Sequence, residues 1–401
     1  MYGAGRLGRE ALEAGVANAA ASVAAGPVLV SVFLDGGADA LSVLFPAGDA
    51  DYLRLRPTLA LDSGSGVAFG EDERLRWHPA LGPLAALHAE GKVTTLPAIG
   101  YTHVDQSHFT SRHYWEVGAT STQLTTGWLG RFLDVMGAAD NPLQGLSLDG
   151  QLQPALATAH VPVAAIGGPT DYMLETPHVT GQVEERMLET LERLGAPREP
   201  DAALVAVGST ILQAARLRDQ LLPFRGFTSP VQYPDGGGDQ FPRRMAGLAA
   251  MLAAGLPLRC VTVRAPGFYD THAEQPGALD AGLRLTAATL LAFQRDLEAR
   301  GLADRVLIHV WSEFGRRAAE NASNGTDHGA AGAGFLIGSR VRGRMIGEFP
   351  GLTTGLDPEG NVRATSDFRG LYCALLEQWF GMDAAAVIPG AAAFARPELL
   401  R

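Results

Sequence analysis

The stretch Pro27-Val28-Leu29-Val30-Ser31-Val32-Phe33-Leu34 runs almost without a polar side chain and stops at Asp35-Gly36-Gly37. A continuous apolar run of this length, bounded by glycines, reads as a strand buried on both faces, the kind that parallel sheets contain. Lys92–Leu96 (closed by Pro97), Leu256–Val263 and Arg305–Trp311 read as further strands. Between the strands, Val183–Leu194, Ala202–Leu222, Arg244–Ala254 and Ala278–Arg300 show helical spacing in good helix formers, and Asp367–Phe380 reads as a final amphipathic helix. Strands alternating with helices predict an α/β chain with a mostly parallel central sheet and helices on both faces.

Composition narrows the functional classes. With 46% hydrophobic residues among 401, the chain can bury a large core. A net charge of -11 argues against non-specific binding to nucleic acid or to an anionic membrane, both of which need a basic face. An acidic substrate stays possible, because a bound metal or a local arginine outweighs the global field. No run approaches the roughly 18 apolar residues of a membrane span. Cys260 and Cys373 sit in apolar contexts and read as buried thiols. No shift in composition marks a boundary, so residues 27–401 read as one domain behind an N-terminal segment, 1–26. In that segment Ala11–Ala25 is small and apolar, but Glu10 and Glu13 stand where a secretion signal carries positive charge. It reads as a loosely packed helix or the remnant of a trimmed signal.

Ligands of open α/β sheets bind at the carboxyl ends of the strands. After the first strand comes Asp35. After the third, across a short loop, comes Asp270-Thr271-His272, and after the fourth Ser312-Glu313-Phe314-Gly315-Arg316. Gly325-Thr326-Asp327-His328-Gly329 follows. Carboxylate with imidazole is a ligand set for a divalent ion such as Zn or Mn. Each residue also has a plainer reading: Asp35 as a turn residue, His272 as a loop hydrogen bond, Glu313 as an ion pair with Arg316 or Arg317, His328 as exposed. His309, inside an apolar strand, reads as a core histidine. A second cluster, Tyr101 to Phe109, opens a helix at Ser107-His108. Ser107 there is a cap or a nucleophile, since a helix N-terminus stabilises negative charge. No dinucleotide fingerprint, phosphate-binding loop or Gly-x-Ser-x-Gly elbow is present.

Phe33 to Leu41, Ser107-His108-Phe109, Asp270-Thr271-His272, Ser312 to Arg316, Gly325 to Gly329 and Thr365-Ser366-Asp367-Phe368-Arg369 occur in this order. The ordered set resembles a bacterial domain-of-unknown-function family, number fifteen-oh-one, over about Pro27 to Ala384. That family is placed with the alkaline-phosphatase-like superfamily, beside sulfatases and cofactor-independent phosphoglycerate mutases. The resemblance implies an alkaline-phosphatase-like fold and a divalent ion (Zn, Mn, Ca or Mg). It also implies export, in many members by the twin-arginine route. It assigns Asp35 to the superfamily's first-strand aspartate, Ser107 to its nucleophile, and Asp270, His272 and His328 to one metal. The superfamily's adjacent Asp-His pair falls at Glu313-Phe314, where phenylalanine cannot ligate. Asp327-His328 is the alternative pair, with Glu313 then a supporting acid. The resulting expectation is a metal-dependent hydrolase of phosphate or sulfate esters, acting on a small-molecule or carbohydrate ester. In it Ser107 attacks, His108 assists proton transfer, and Arg316 or Arg112 holds the anion. The alternative is a non-catalytic carbohydrate- or envelope-binding protein on a degenerate scaffold.

Overall fold

The computed structural model describes residues 26–168, 179, 181–195 and 201–401. The N-terminal helix expected over Ala11–Ala25 lies outside them. In chain order the strands are β1 (Val28–Phe33), β2 (Leu44–Pro46), β3 (Val67–Ala68), β4 (Leu75–Trp77), β5 (Val93–Gly100), β6 (Gly145–Ser147), β7 (Ala164–Ala165), β8 (Cys260–Arg264), β9 (Val306–Trp311), β10 (Gly332–Ile337) and β11 (Ser366–Asp367). The helices that matter below are α1 (Gly82–Ala89), α2 (His108–Val117), α3 (Trp128–Met136), α4 (Gln182–Gly195), α5 (Ala202–Leu221), α6 (Phe241–Ala253), α7 (Gln275–Ala299) and α8 (Phe368–Ala374).

Eight strands form the main sheet in the order β11-β5-β10-β9-β1-β8-β6-β7, and β2, β4 and β3 form a small second one. All neighbours in the main sheet run parallel except at β10, which is antiparallel to both β5 and β9. The class is the one expected: a mostly parallel sheet between helices. β1 shows why its sequence is apolar throughout. Side chains alternate across a strand, so Val28, Val30 and Val32 enter one core with Met245 and Leu248 of α6 and Leu283 and Leu290 of α7. Leu29 and Phe33 enter the other, with Trp115 of α2, Phe132 of α3 and Leu371 of α8. Burying each such side chain stabilises by about 1.5–3 kcal/mol. Ser31, the exception in the run, accepts from the indole Nε1 of Trp311 at 2.9 Å. Both cysteines are free and buried, and no helix among the described residues is long and apolar enough to cross a membrane.

Two departures from expectation have local causes. β5 does not stop at Pro97 but continues to Gly100. The missing N–H of Pro97 is tolerated because the β5–β10 register shifts between Gly332 and Gly334, opposite it. The last helix is α-helical only to Ala374, and Leu375–Trp379 widens into a π-turn.

β1, β5, β8 and β9 point the same way, so the segments that follow them gather at one edge of the sheet. That edge carries Asp35, the turn into α2, the Asp270 loop and Glu313.

Candidate metal centre

Glu313 is fully buried directly after β9. Its Oε1 accepts from the Gly36 N–H at 3.1 Å and its Oε2 from the Gly37 N–H at 3.0 Å. The Ser312 hydroxyl donates to Oε2 at 3.0 Å. Gly36 and Gly37 hold φ of 121° and 72°, backbone that suits glycine and turns both N–H groups onto one carboxylate. A Cβ on Gly36 would lie 2.3 Å from the Asp270 nitrogen, so this turn also lets the Asp270 loop pack close.

The fourth partner of Glu313 is His108, the first residue of α2, whose Nδ1 lies 2.7 Å from Oε1. A carboxylate only accepts here, so Nδ1 donates and Nε2 of the neutral ring keeps its lone pair. The same logic holds twice more. His328 Nδ1 donates to the main-chain oxygen of Gln106 at 2.7 Å. His272 Nδ1 lies 3.3 Å from Asp327 Oδ1, which Asn321 also braces at 3.0 Å. Three imidazoles are thus tethered through Nδ1, and their Nε2 atoms meet around Asp270 Oδ1, at 3.3 Å from His108, 3.1 Å from His272 and 3.3 Å from His328.

These contacts fit a cation. His272 Nε2 and His328 Nε2 stand 2.9 Å apart; two bare lone pairs at that distance repel unless a proton or metal ion lies between them. His108 Nε2 is buried and makes no hydrogen bond. Ligand atoms of His108, Asp270 and His328 lie within 4.8 Å of one another. Nδ1 anchored on an acceptor with Nε2 free is the usual arrangement of a metal-binding histidine.

Electrostatics favour the binding forms of Asp270 and His328, whereas His108 has to give up a proton to bind a cation. Burial pushes the Asp270 carboxyl up, but the Arg316 guanidinium outweighs it, by a 2.6 Å bond and by charge, and holds the pKa at about 2. Burial moves His328 down, toward the neutral ring. His108 moves up, chiefly through its bond to Glu313.

The other expected site residues fall as follows. Arg316 is buried and spent on protein acceptors: Nε on Gly37 O at 2.7 Å, Nη1 on Thr326 O at 3.0 Å, and Nη2 on Tyr269 O at 3.2 Å, on Gly36 O and on Asp270. It braces the site instead of offering donors to an anion. The Asp35 carboxylate points to Arg264, 3.1 Å from its Nη1. Ser107 sits at the N-cap of α2, but its hydroxyl makes no capping bond. Arg112, one turn beyond His108, bonds Glu116 at 2.9 Å and Gln153 at 2.6 Å. Phe314 packs its ring 4.8 Å from those of His108 and His328, walling the cluster on that side.

Sequence reasoning missed two supports. One is Gln106, which acts through a main-chain carbonyl that no side-chain pattern reveals. The other is Gln275, at the start of α7. Its Oε1 accepts from the hydroxyls of Thr271 at 3.0 Å and Thr326 at 2.6 Å. Its Nε2 donates to Asp39 at 2.7 Å. Asp39 in turn is paired with Arg56 inside the core, both side chains fully buried. One amide therefore ties together the loops that bear Asp270-His272 and Asp327-His328.

The sequence matches the family described as Protein of unknown function (DUF1501) over residues 70–388. The chain belongs to that family. No curated protein matches this DUF1501 chain by sequence. Solved structures similar to it include the PsFucS1 sulfatase from Pseudoalteromonas sp., at 11% identity and a TM-score of 0.39, covering 96% of this chain and 75% of that one. Another is the lipoteichoic acid synthase LtaP from Listeria monocytogenes, at 10% identity and a TM-score of 0.39, covering 91% and 74%. A third is the phosphonate monoester hydrolase SpPMH from Silicibacter pomeroyi, at 14% identity and a TM-score of 0.35, covering 92% and 75%. These overlaps are loose, and the chemistry of the DUF1501 site has to be read from its own geometry.

Proposed function

We propose that this protein is a metal-dependent hydrolase of phosphate or sulfate esters. The observation that carries the reading is the convergence of three Nδ1-tethered imidazoles on Asp270 Oδ1. His108, Asp270, His272 and His328 would hold the ion. A nitrogen-rich donor set favours Zn or Mn over Ca and Mg, which take oxygen ligands. Bound there, the ion would polarise an ester oxygen and lower the pKa of a nearby hydroxyl or water.

The chain's own groups supply the rest. Arg316 keeps Asp270 ionised at neutral pH. Glu313 and Asp327 fix two imidazole rings, and Gln106 fixes the third. Ser107 is the candidate nucleophile: it precedes His108, at the positive end of α2, and its hydroxyl is not used as a cap. Holding the anionic oxygens falls to Nη1 of Arg112, on the same helix face as His108, since Glu116 and Gln153 take its Nε and Nη2. Export, implied by the family resemblance, belongs to the same proposal.

The test is hydrolysis of 4-nitrophenyl phosphate and 4-nitrophenyl sulfate by protein loaded with Zn or Mn, with Ser107→Ala beside the wild type. Lost turnover with a small melting shift supports the nucleophile, and unchanged turnover transfers that role to water. A metal-loaded wild type inert toward both esters rejects the hydrolase reading.

A further inference from the structure

A cavity of about 880 Å³ opens beside the metal cluster, at the carboxyl ends of β5 and β11. Gln106 is common to both: its main-chain oxygen holds His328, and its side chain lines the cavity and bonds Asn361 at 3.3 Å. Ala330, two residues beyond His328, lines the wall as well. Gln106 is the wall between the two, since His108, Asp270, His272 and His328 do not themselves line the space.

We propose that the cavity is the subsite for the part of the ester that is not transferred, and that it takes an uncharged, hydroxyl-bearing group of the sugar type. The inference rests on the hydrolase reading for its role and on the cavity lining for its chemistry. Thr102, His103, Glu359, Arg363 and Ser366 line the cavity, and among the described residues their side chains make no hydrogen bond within the protein. An apolar occupant would strip water from these groups and give nothing back, which is the costly way to bury polar atoms. An anionic occupant meets an excess of acid. Asp357 and Glu359 face one arginine, Arg363, while Asp367 and Arg369 neutralise each other at 2.6 Å. Arg363 offsets part of that acid, so a cation gains little from the single charge left over. What fits is a group that both donates and accepts while carrying no charge. His103 stands on the rim with φ of 57° in the left-handed region, turned toward the opening by backbone that few residues adopt.

Saturation-transfer NMR on the full chain tests the proposal, with D-galactose, D-glucose and L-fucose as probes at millimolar concentration. D-glucuronate and 4-nitrophenol serve as the anionic and apolar comparisons. We expect transfer to at least one neutral sugar, of equal size in chelator-treated protein. Thr102→Trp, which fills the opening from an exposed position, should cut it at least tenfold. The double variant Glu359→Gln/Arg363→Ala should do the same without a bulky side chain. Absence of transfer to any neutral sugar overturns the subsite, as does full transfer in both variants or stronger transfer to glucuronate or nitrophenol. The two readings fail separately. Aryl-ester turnover without sugar contact sinks the subsite alone, and sugar contact without any turnover sinks the hydrolase and with it the leaving-group role.

Discussion

Glu313 Oε1 stands 2.7 Å from His108 Nδ1 while the same carboxylate takes the N–H groups of Gly36 and Gly37. Every approach to this carboxylate comes from a donor, so both oxygens serve as acceptors. Glu313→Gln turns one oxygen into a donor facing another donor. We expect metal affinity to fall 10–100-fold, as for other outer partners of ligating histidines, with a stability loss of about 1–3 kcal/mol. Titration against a chromophoric chelator and a thermal melt read the two effects.

Metal content separates ligands from bystanders. Wild-type protein purified with Zn or Mn should retain an ion, and His272→Ala and His328→Ala should retain less by elemental analysis. Equal, near-zero content in all three removes the ligand assignment. Asp35→Asn, which loosens the Arg264 pair, should keep its metal.

Gln275→Leu should act at a distance. It orphans the hydroxyls of Thr271 and Thr326 in a buried setting, at about 1–3 kcal/mol for each hydroxyl left unpaired, while Asp39 keeps Ser42 and Arg56 as donors. Because those threonines flank the proposed ligands, metal affinity should drop along with the melting temperature. A lower melting temperature with unchanged affinity would show that the amide serves stability alone.

His309 predicts an acid-side stability slope. It is fully buried in β9 with no partner for either nitrogen, and burial alone drives its pKa down to about 3. The unfolded chain protonates this ring near the usual value of about 6.5. Stability is therefore complete above that pH and declines by up to about 1.4 kcal/mol per unit as pH falls from there toward the folded pKa. Between pH 7 and 5, wild type should lose about 2 kcal/mol more than His309→Phe in paired denaturant melts. Parallel curves would assign the acid sensitivity elsewhere.

The residues that most constrained the fold were legible because their period is the signal. β1, β8 and β9 lie within one to four residues of the expected runs, and α4, α5, α6 and α7 overlap theirs. β10 was not legible. Gly332-Ala333-Gly334 looks like the end of a loop, yet it is central strand, because Gly332 and Gly334 sit where the β5 register shifts. At the site, Asp270, His272 and His328 stood out as residue types after strands. Glu313 stayed open between ligand and supporting acid, and the bracing role of Arg316 did not show at all, since whether a charged group faces a ligand or the backbone depends on what the sheet brings beside it. Gln275 reads from sequence as an ordinary helix-start glutamine.

The position of β1 in the sheet has a consequence during synthesis. Its neighbours on both sides, β8 and β9, are encoded far downstream, with Leu29 aligned to Cys260 and Val28 to Val306. At roughly 5–20 residues per second, the ribosome needs from about 15 seconds to about a minute to deliver them. For that interval the segment Val-Leu-Val-Ser-Val-Phe has no strand to pair with, carries no charge and contains no proline, the profile of a sequence that pairs with copies of itself. Soluble yield should therefore depend on translation speed and on chaperones that shield nascent strands, more steeply than the stability of the finished fold would suggest.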